Sequence, residues 1–335
     1  MSLPILDLSA FTSPSSTTDS KRAAASALSA ACRDHGFFYL RHTLGPLEQR
    51  ALALAREFFL TSSPSTKSRI SRLNPGDGGD GARGYQKLNE NITQGKTDFH
   101  EGIDYYSPVV EPKLLDPAHP EKGYELLMGV NLFPQEVEGF QETFEAFWDE
   151  LRKLGDRVMV AMAWALGYEE DEEVLLRQTR NGFWSARVIG YPELKKEDGG
   201  EGGISCGEHS DYGCTTFLLA DPTPGALQVL AKTGEWIDAD PIEGCYVVNI
   251  GDMMELWTNG LWASTRHRVI HTKSGFRVSI PFFYEPNFDA VVEPLDKCVA
   301  VAGGEKKYQP KKYGDHLIEK VSGNFYKAPE ADQGK

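Results

Sequence analysis

Hydrophobic residues follow two different spacings along the chain, and each spacing predicts a different kind of structure. Between residues 134 and 167 large apolar side chains recur every three or four positions, which is typical of a helix with one buried face. We therefore expect a long helix that packs this stripe against a sheet. The stripe comprises Phe140, Phe144, Phe147, Leu151, Leu154, Val158 and Ala161.

After about residue 183 the pattern changes to short apolar runs separated by glycine, proline and polar turn residues. Many short strands with such punctuation indicate an antiparallel sandwich or jelly roll. The candidate strands span residues 183–191, 208–219, 227–230, 236–237, 246–250, 265–270 and 277–284.

The first half of the chain predicts helices that support the outside of this β core. Helices are expected from Asp19 to about Gly36 and from about Pro46 to Leu60, with a shorter one after Pro64. Short strands are expected at residues 3–8, 36–40, 83–86 and 98–105. The fold class is therefore α+β with a mainly β core.

No linker or internal repeat divides the sequence, so we expect one integrated domain over residues 1–335. Its helix-rich region runs to about residue 180, and the β core with the candidate site spans about 181–290. A C-terminal segment covers 291–335.

Composition restricts the possible partners and the location. The formal net charge of −14 argues against non-specific binding to nucleic acid or to an anionic membrane. No apolar run approaches the length of a membrane-spanning helix, and the N-terminus lacks the pattern of a signal peptide. The five cysteines are scattered without a close pair, which favours a reduced, cytoplasmic setting. No obligatory protein partner is evident.

The stretch around His209 and Asp211 carries the first candidate chemistry. Residues two apart on a strand share a face, so the imidazole and the carboxylate are expected to project together. A further histidine from a neighbouring strand, His267 or His271, would complete two histidines and one carboxylate. That ligand set leaves positions open on one side of the metal and is typical of non-haem Fe(II) oxygenases. Spacing alone does not choose between the two histidines.

Arg277 and Ser279 repeat the same spacing on another predicted strand with apolar neighbours. A guanidinium matches a carboxylate in two places, and a hydroxyl two residues on can donate a third hydrogen bond. A buried arginine needs an anionic partner. The pair therefore predicts a site for the far carboxylate of a dicarboxylate whose other end binds the metal.

Taken together, the motifs resemble one superfamily along nearly the whole chain, from about Leu3 to Phe325. The sequence is similar to the Fe(II)- and 2-oxoglutarate-dependent dioxygenases of the isopenicillin N synthase-like branch. The nine ordered motifs are Asp7–Ser9, Gly36–Tyr39, Arg83–Tyr85, Asn131–Pro134, Arg187–Pro192, His209–Gly213, Asn249–Asp252, Ser264–Val269 and Arg277–Ser279.

The resemblance implies a fold, cofactors and site residues. The fold would be a distorted double-stranded β-helix with iron at its open end. The resemblance assigns His209, Asp211 and His267 as ligands of Fe(II), and Arg277, Ser279 and Tyr191 to the co-substrate 2-oxoglutarate. Asn249, Gly251 and Asp252 are interpreted as a structural turn. Position 189 is isoleucine, where some plant relatives carry an asparagine that assists the co-substrate.

The implied activity consumes dioxygen and couples oxidative decarboxylation of 2-oxoglutarate, to succinate and carbon dioxide, with oxidation of a C–H bond. Hydroxylation, desaturation and ring closure are all possible outcomes. The substrate is expected to be a small molecule, such as an amino-acid derivative or a heterocycle. Residues expected to line its site are Tyr85, Asn89, Glu101, Trp184, Arg187 and Phe283.

Three alternatives remain open from the sequence. The first is an Fe(II) oxidase or cyclase that uses dioxygen alone, in which Arg277 and Ser279 would hold the substrate. The second is a zinc hydrolase, because two histidines and a carboxylate also suit catalytic zinc. The third is a non-catalytic metal-binding sensor or interaction protein that keeps the fold.

Overall fold

A computed structural model describes most of the chain, including most of the predicted helix-rich region and of the predicted β core. The described residues are 2–74, 77–93, 95–108, 127, 129–180, 182–194 and 204–324. The α-helices are α1 (Thr18–Asp34), α2 (Pro46–Thr61), α3 (Pro64–Arg69), α4 (Phe140–Ala165), α5 (Asp252–Trp257), α6 (Asp296–Val301) and α7 (Tyr313–Asn324). No helix in these ranges is both long and apolar enough to cross a membrane.

The strands are short, as the turn residues of the second half predict. In chain order they are β1 (Ile5–Leu6), β2 (Phe37–Arg41), β3 (Gly84–Gln86), β4 (Ile92–Thr93), β5 (Lys96–Thr97), β6 (Glu101–Tyr106), β7 (Trp184–Tyr191), β8 (Cys206–His209), β9 (Thr215–Ala220), β10 (Leu227–Leu230), β11 (Trp236–Asp238), β12 (Cys245–Ile250), β13 (His267–Val269), β14 (Arg277–Tyr284), β15 (Val291–Val292) and β16 (Lys311–Lys312).

Two sheets form the β core. The larger sheet has the order β1-β2-β12-β9-β14-β7-β6-β3, and the smaller has the order β11-β10-β13-β8. Side chains from both sheets pack together in one apolar cluster that includes Ile189, Tyr191, Val229 and Val269. The two sheets therefore face each other across an apolar interior. This arrangement confirms the expected jelly-roll core.

The other face of the larger sheet is covered by helices. The predicted stripe of α4 is buried, and Phe144 and Leu151 have no exposed surface. Gly155 lies within this buried face, where a Cβ would overlap the ring of Tyr284 on β14. The helix begins at Phe140, six residues after position 134, because Gly139 adopts a left-handed conformation with φ of 77°.

The core cluster on this face contains residues from every predicted region of the chain, including Leu28 on α1, Phe58 on α2, Phe217 on β9 and Tyr313 on α7. The single integrated domain itself stays a prediction. One expected strand is divided: residues 208–219 form the end of β8 and most of β9, with a turn between them. That turn carries part of the candidate site.

Candidate metal centre and active site

Strand pairing in the smaller sheet brings two histidines together. His209 is the last residue of β8 and His267 is the first residue of β13, and the two are paired in register. Their ring centroids lie 4.2 Å apart. Asp211 does not share a strand with His209, contrary to the sequence prediction, because β8 ends at His209. The turn that follows nevertheless brings its Oδ1 to 3.8 Å from Nε2 of His209 and 3.6 Å from Nε2 of His267.

Each imidazole is oriented by a backbone carbonyl. Nδ1 of His209 donates to the oxygen of Gly207 at 2.7 Å, and Nδ1 of His267 donates to the oxygen of Thr265 at 3.1 Å. With Nδ1 engaged in this way, Nε2 is the atom available to a metal ion, which is the usual arrangement of metal-binding histidines.

The surroundings shift the pKa values of the two imidazoles in opposite directions. Burial lowers the pKa of His267 to about 4, which favours the neutral ligand form. Burial also acts to lower the pKa of His209, but the neighbouring Cys206 and Asp211 raise it to about 10.

The carboxylate of Asp211 is held in place by hydrogen bonds to its second oxygen. Its Oδ2 accepts hydrogen bonds from Nδ2 of Asn249 at 2.7 Å and from the hydroxyl of Thr216. Burial would raise the pKa of Asp211, but the two histidines and these two donors together hold it below its ordinary value. The carboxylate therefore stays charged with Oδ1 directed at the histidines. Asn249, interpreted from the sequence as part of a structural turn, orients a candidate ligand.

These three side chains fit a metal ion. Two atoms bound to one ion at about 2.1 Å each lie at most about 4.2 Å apart, and both carboxylate–imidazole distances meet that limit. Two histidines and one carboxylate with open positions suit non-haem Fe(II). His271 lies apart from this group, and its Nε2 hydrogen-bonds to the oxygen of Gly275 at 3.0 Å.

A buried cation lies on β14 in the same interior. Arg277 is 2% exposed, and its Nε and Nη1 have no hydrogen-bond partner within the described ranges. The guanidinium lies over the ring of Tyr191, 4.8 Å from its centroid, and Ser279 follows two residues later on the same face. An unpartnered buried guanidinium costs free energy, and an anionic carboxylate removes that cost. The group fits a dicarboxylate co-substrate.

A cavity of about 300 Å³ opens beside the candidate ligands. Its lining includes His209, Asp211, Arg187, Phe283, Glu285 and Lys320. This volume is at the lower end of the range for pockets that bind small molecules. Of the residues expected to contact substrate, Arg187 and Phe283 lie at the cavity.

Trp184 lies on the opposite face of the larger sheet. Its ring centroid is 5.2 Å from that of Trp148 on α4, and it stacks on Phe282. Trp184 and Arg187 are three apart on β7, so their side chains point to opposite faces. The cavity lining therefore includes Arg187 and not Trp184, where both were expected.

Tyr85 and Glu101 also lie on the helix side of the sheet. Tyr85 packs edge-on against Phe58 of α2 and donates a hydrogen bond to Glu101, which pairs with Lys67 at 2.8 Å. Neither residue lines the cavity. Asn89 is exposed in a turn with φ of 69°, also away from the lining.

Instead, the cavity face of these strands carries a network that the sequence analysis missed. Asp104 on β6 forms an ion pair with Arg187 and accepts a hydrogen bond from Gln86. Arg187 also donates to Oδ1 of Asn91 at 3.0 Å. The alternation of side chains along a strand could have predicted this position. Asp104 is an odd number of residues from Glu101 and Tyr105, so its side chain points to the opposite face of the sheet.

A second group of candidate ligands supports β8. Asp98, His100 and Cys206 are buried, with their ligand atoms within 4.8 Å of one another. Asp98 accepts a hydrogen bond from the backbone of Gly207 at 2.8 Å, and His100 donates from Nδ1 to the oxygen of Ser205 at 2.7 Å. These two side chains therefore fix the backbone that carries His209.

Comparison with known proteins agrees with this geometry. Residues 179–286 match the 2OG-Fe(II) oxygenase superfamily, and residues 3–136 match the N-terminal region described as non-haem dioxygenase in morphine synthesis. A homoarginine-6-hydroxylase from Oryza sativa subsp. japonica is 40% identical, over 88% of this chain and 87% of the relative. The chain belongs to the 2OG-Fe(II) oxygenase superfamily.

Other relatives extend the likeness. A homoarginine-6-hydroxylase from Glycine max is also 40% identical, over 89% of this chain and 88% of the relative. The crystal structure of a full-length Neurospora crassa protein in complex with alpha-KG and thymine superimposes with a TM-score of 0.80, at 27% identity and over 96% of each chain.

This 2OG-Fe(II) oxygenase therefore uses Fe(II), 2-oxoglutarate and dioxygen, and it couples decarboxylation of 2-oxoglutarate to oxidation of a small molecule. The expected family, fold and reaction class are confirmed, in preference to a dioxygen-only oxidase, a zinc hydrolase or a sensor. The cytoplasmic location stays a prediction.

We expect Thr216→Val to weaken Fe(II) binding about tenfold, because support of a ligand by a hydrogen bond typically contributes about 10–100-fold to metal affinity. The neighbouring hydroxyl of Thr215 is buried without a hydrogen-bond partner in the described structure, so Thr215→Val is a matched control with unchanged affinity. The Fe(II) affinities of both variants are measured by anaerobic titration with Fe(II), monitored by calorimetry. Equal affinities of the two variants would show that Thr216 does not support Asp211.

We also expect Glu285→Gln to stabilise the metal-free protein increasingly as pH rises. Burial raises the pKa of Glu285 from 4.5 to about 8, so the folded chain retains a proton that the unfolded chain releases. Wild-type stability therefore falls between about pH 4.5 and pH 8, whereas glutamine does not titrate. The difference in melting temperature should grow across that window. A constant difference, or one equal to that of the exposed control Glu243→Gln, would contradict the assignment.

Proposed function

We propose that this enzyme hydroxylates an amino acid that carries a guanidino group, homoarginine or a close analogue. Support comes from the 40% identity to homoarginine-6-hydroxylases over nearly the whole chain. The observation that carries the proposal is the charge of the cavity, which has carboxylates and cations together beside the candidate ligands. A zwitterionic substrate with an additional cation requires both signs.

The direction of binding follows from the substrate's chemistry. Carbon 6 of homoarginine is bonded to a guanidino nitrogen, so the guanidinium must lie near the metal when that carbon is oxidised. The cavity offers Asp98, Asp104 and Glu285 as carboxylates. Arg187 and Lys320 are cations that can receive the α-carboxylate.

We further propose residue roles for the common part of the reaction. His209, Asp211 and His267 bind Fe(II), and Arg277 and Ser279 bind the distal carboxylate of 2-oxoglutarate, with Tyr191 beside it. When bound, the iron supplies the activation of dioxygen. The protein's own contribution is to fix the co-substrate, orient the C–H bond and exclude water. In balance, 2-oxoglutarate, dioxygen and R–H become succinate, carbon dioxide and R–OH.

Arg277→Ala is expected to raise the KM for 2-oxoglutarate by about tenfold to a hundredfold, because hydrogen bonds to a charged group contribute about 1.5–3 kcal/mol each. Succinate release measured against 2-oxoglutarate concentration tests this role. The exposed Arg22→Ala, which removes a surface ion pair, serves as the control. An unchanged saturation curve for Arg277→Ala would contradict the proposed co-substrate site.

The substrate class is tested by adding candidate substrates to the iron-loaded enzyme with 2-oxoglutarate. We expect homoarginine to increase succinate release in step with formation of a hydroxylated product, and thymine to have no such effect. Mass spectrometry identifies the product by one added oxygen atom. Stimulation by thymine, with none by homoarginine or related guanidino amino acids, would overturn the proposal.

A further inference from the structure

The carboxylates at the cavity differ in whether they already have partners. Asp104 is neutralised by Arg187 and hydrogen-bonded to Gln86. Asp98 accepts hydrogen bonds from the backbone of Gly207 and the hydroxyl of Thr93. Both are therefore satisfied in the protein alone.

Glu285 is different. It is 2% exposed, it lines the cavity, and its Oε2 has no hydrogen-bond partner in the described part of the chain. The group that favours its ionised form is the neutral phenol of Tyr313 rather than a cation. Ionising a buried carboxyl group without a cation costs free energy, so Glu285 keeps its proton at neutral pH in the protein alone. Within the described residues no cation is paired with Glu285, so a cation that enters the cavity would complete this site.

The position of Glu285 places this carboxylate near the metal centre. The loop that carries Asp211 continues to Gly213, where a Cβ would overlap Oε2 of Glu285. Only glycine at this position lets the carboxylate pack so closely against that loop. After burial, Asp211 also contributes to the raised pKa of Glu285, because the two carboxylates repel each other when both are charged.

The strand supports the same conclusion. Side chains on β14 alternate, so Arg277, Ser279 and Phe283 share the interior face. Glu285 follows the last of these by two positions, just after the strand ends. One row of side chains thus has Arg277 at one end and, at the other, a carboxyl group that has no cationic partner among the described residues.

We infer that Glu285 binds the guanidinium of the substrate and so selects a cationic side chain for oxidation. This inference rests on the proposed function and assigns the residue that determines its specificity. When the guanidinium binds, Glu285 releases its proton to solvent and forms an ion pair with the substrate. A neutral molecule of the same shape offers Glu285 no positive charge, so the site discriminates against that molecule.

The test compares homoarginine with homocitrulline, in which a neutral ureido group replaces the guanidinium with nearly the same shape. Binding of each is measured anaerobically by calorimetry to the enzyme loaded with Fe(II) and 2-oxoglutarate. We expect the wild-type enzyme to bind homoarginine at least about tenfold more tightly. For Glu285→Gln the ratio of the two dissociation constants should approach one.

Two further variants exclude a merely structural effect. Glu285→Asp keeps the charge and should retain a preference for homoarginine, and the exposed Glu243→Gln should keep the wild-type ratio. A structural role would weaken both ligands equally and leave the ratio unchanged. Wild-type discrimination in Glu285→Gln would overturn the role of Glu285 while leaving the proposed function intact. Failure of the wild-type enzyme itself to prefer homoarginine would overturn the proposed substrate class and this inference with it.

Discussion

The register between β8 and β13 is the constraint on which the site depends. It sets His209 opposite His267, and a shift of one residue would turn one imidazole to the other face of the sheet. Asp98 and His100 hold the backbone of β8 at this point. Asp211, the third candidate ligand, needs no strand of its own, because Asn249 on β12 and Thr216 on β9 hold its carboxylate in place.

β14 runs between the proposed binding sites of the two organic ligands. Its interior face carries Arg277, proposed to bind the co-substrate, and leads to Glu285, proposed to bind the substrate, roughly 25 Å along the chain at the rise of a strand. Both are buried ionisable groups with unpartnered atoms in the described structure. Such groups reduce the stability of the protein alone, and ligands of opposite charge recover that free energy. In our proposal, β14 thus favours the binding of both 2-oxoglutarate and the substrate in the same way, because each ligand pairs with a buried ionisable group.

Local spacing in the sequence picks out the candidate ligands and Arg277, whereas several residues expected at the cavity from the family resemblance lie elsewhere. A separation of two residues on one strand holds for Arg277 and Ser279 on β14, whereas Asp211 lies in the turn after β8 and approaches His209 by a different route from the predicted one. The family resemblance puts both Trp184 and Arg187 at the cavity, although the two are three positions apart on β7 and their side chains therefore point to opposite faces. The lack of a hydrogen-bond partner for Oε2 of Glu285 among the described residues depends on side chains distant in sequence, and no local pattern reveals it.

The most direct test of this account is an anaerobic titration of the metal-free protein, first with Fe(II) and then with 2-oxoglutarate, followed by visible absorption. We predict a metal-to-ligand charge-transfer band that develops only when Fe(II) and 2-oxoglutarate are both present and saturates at one equivalent of each. Fe(II) binding without that band on addition of 2-oxoglutarate would contradict the arrangement of an open metal site facing Arg277.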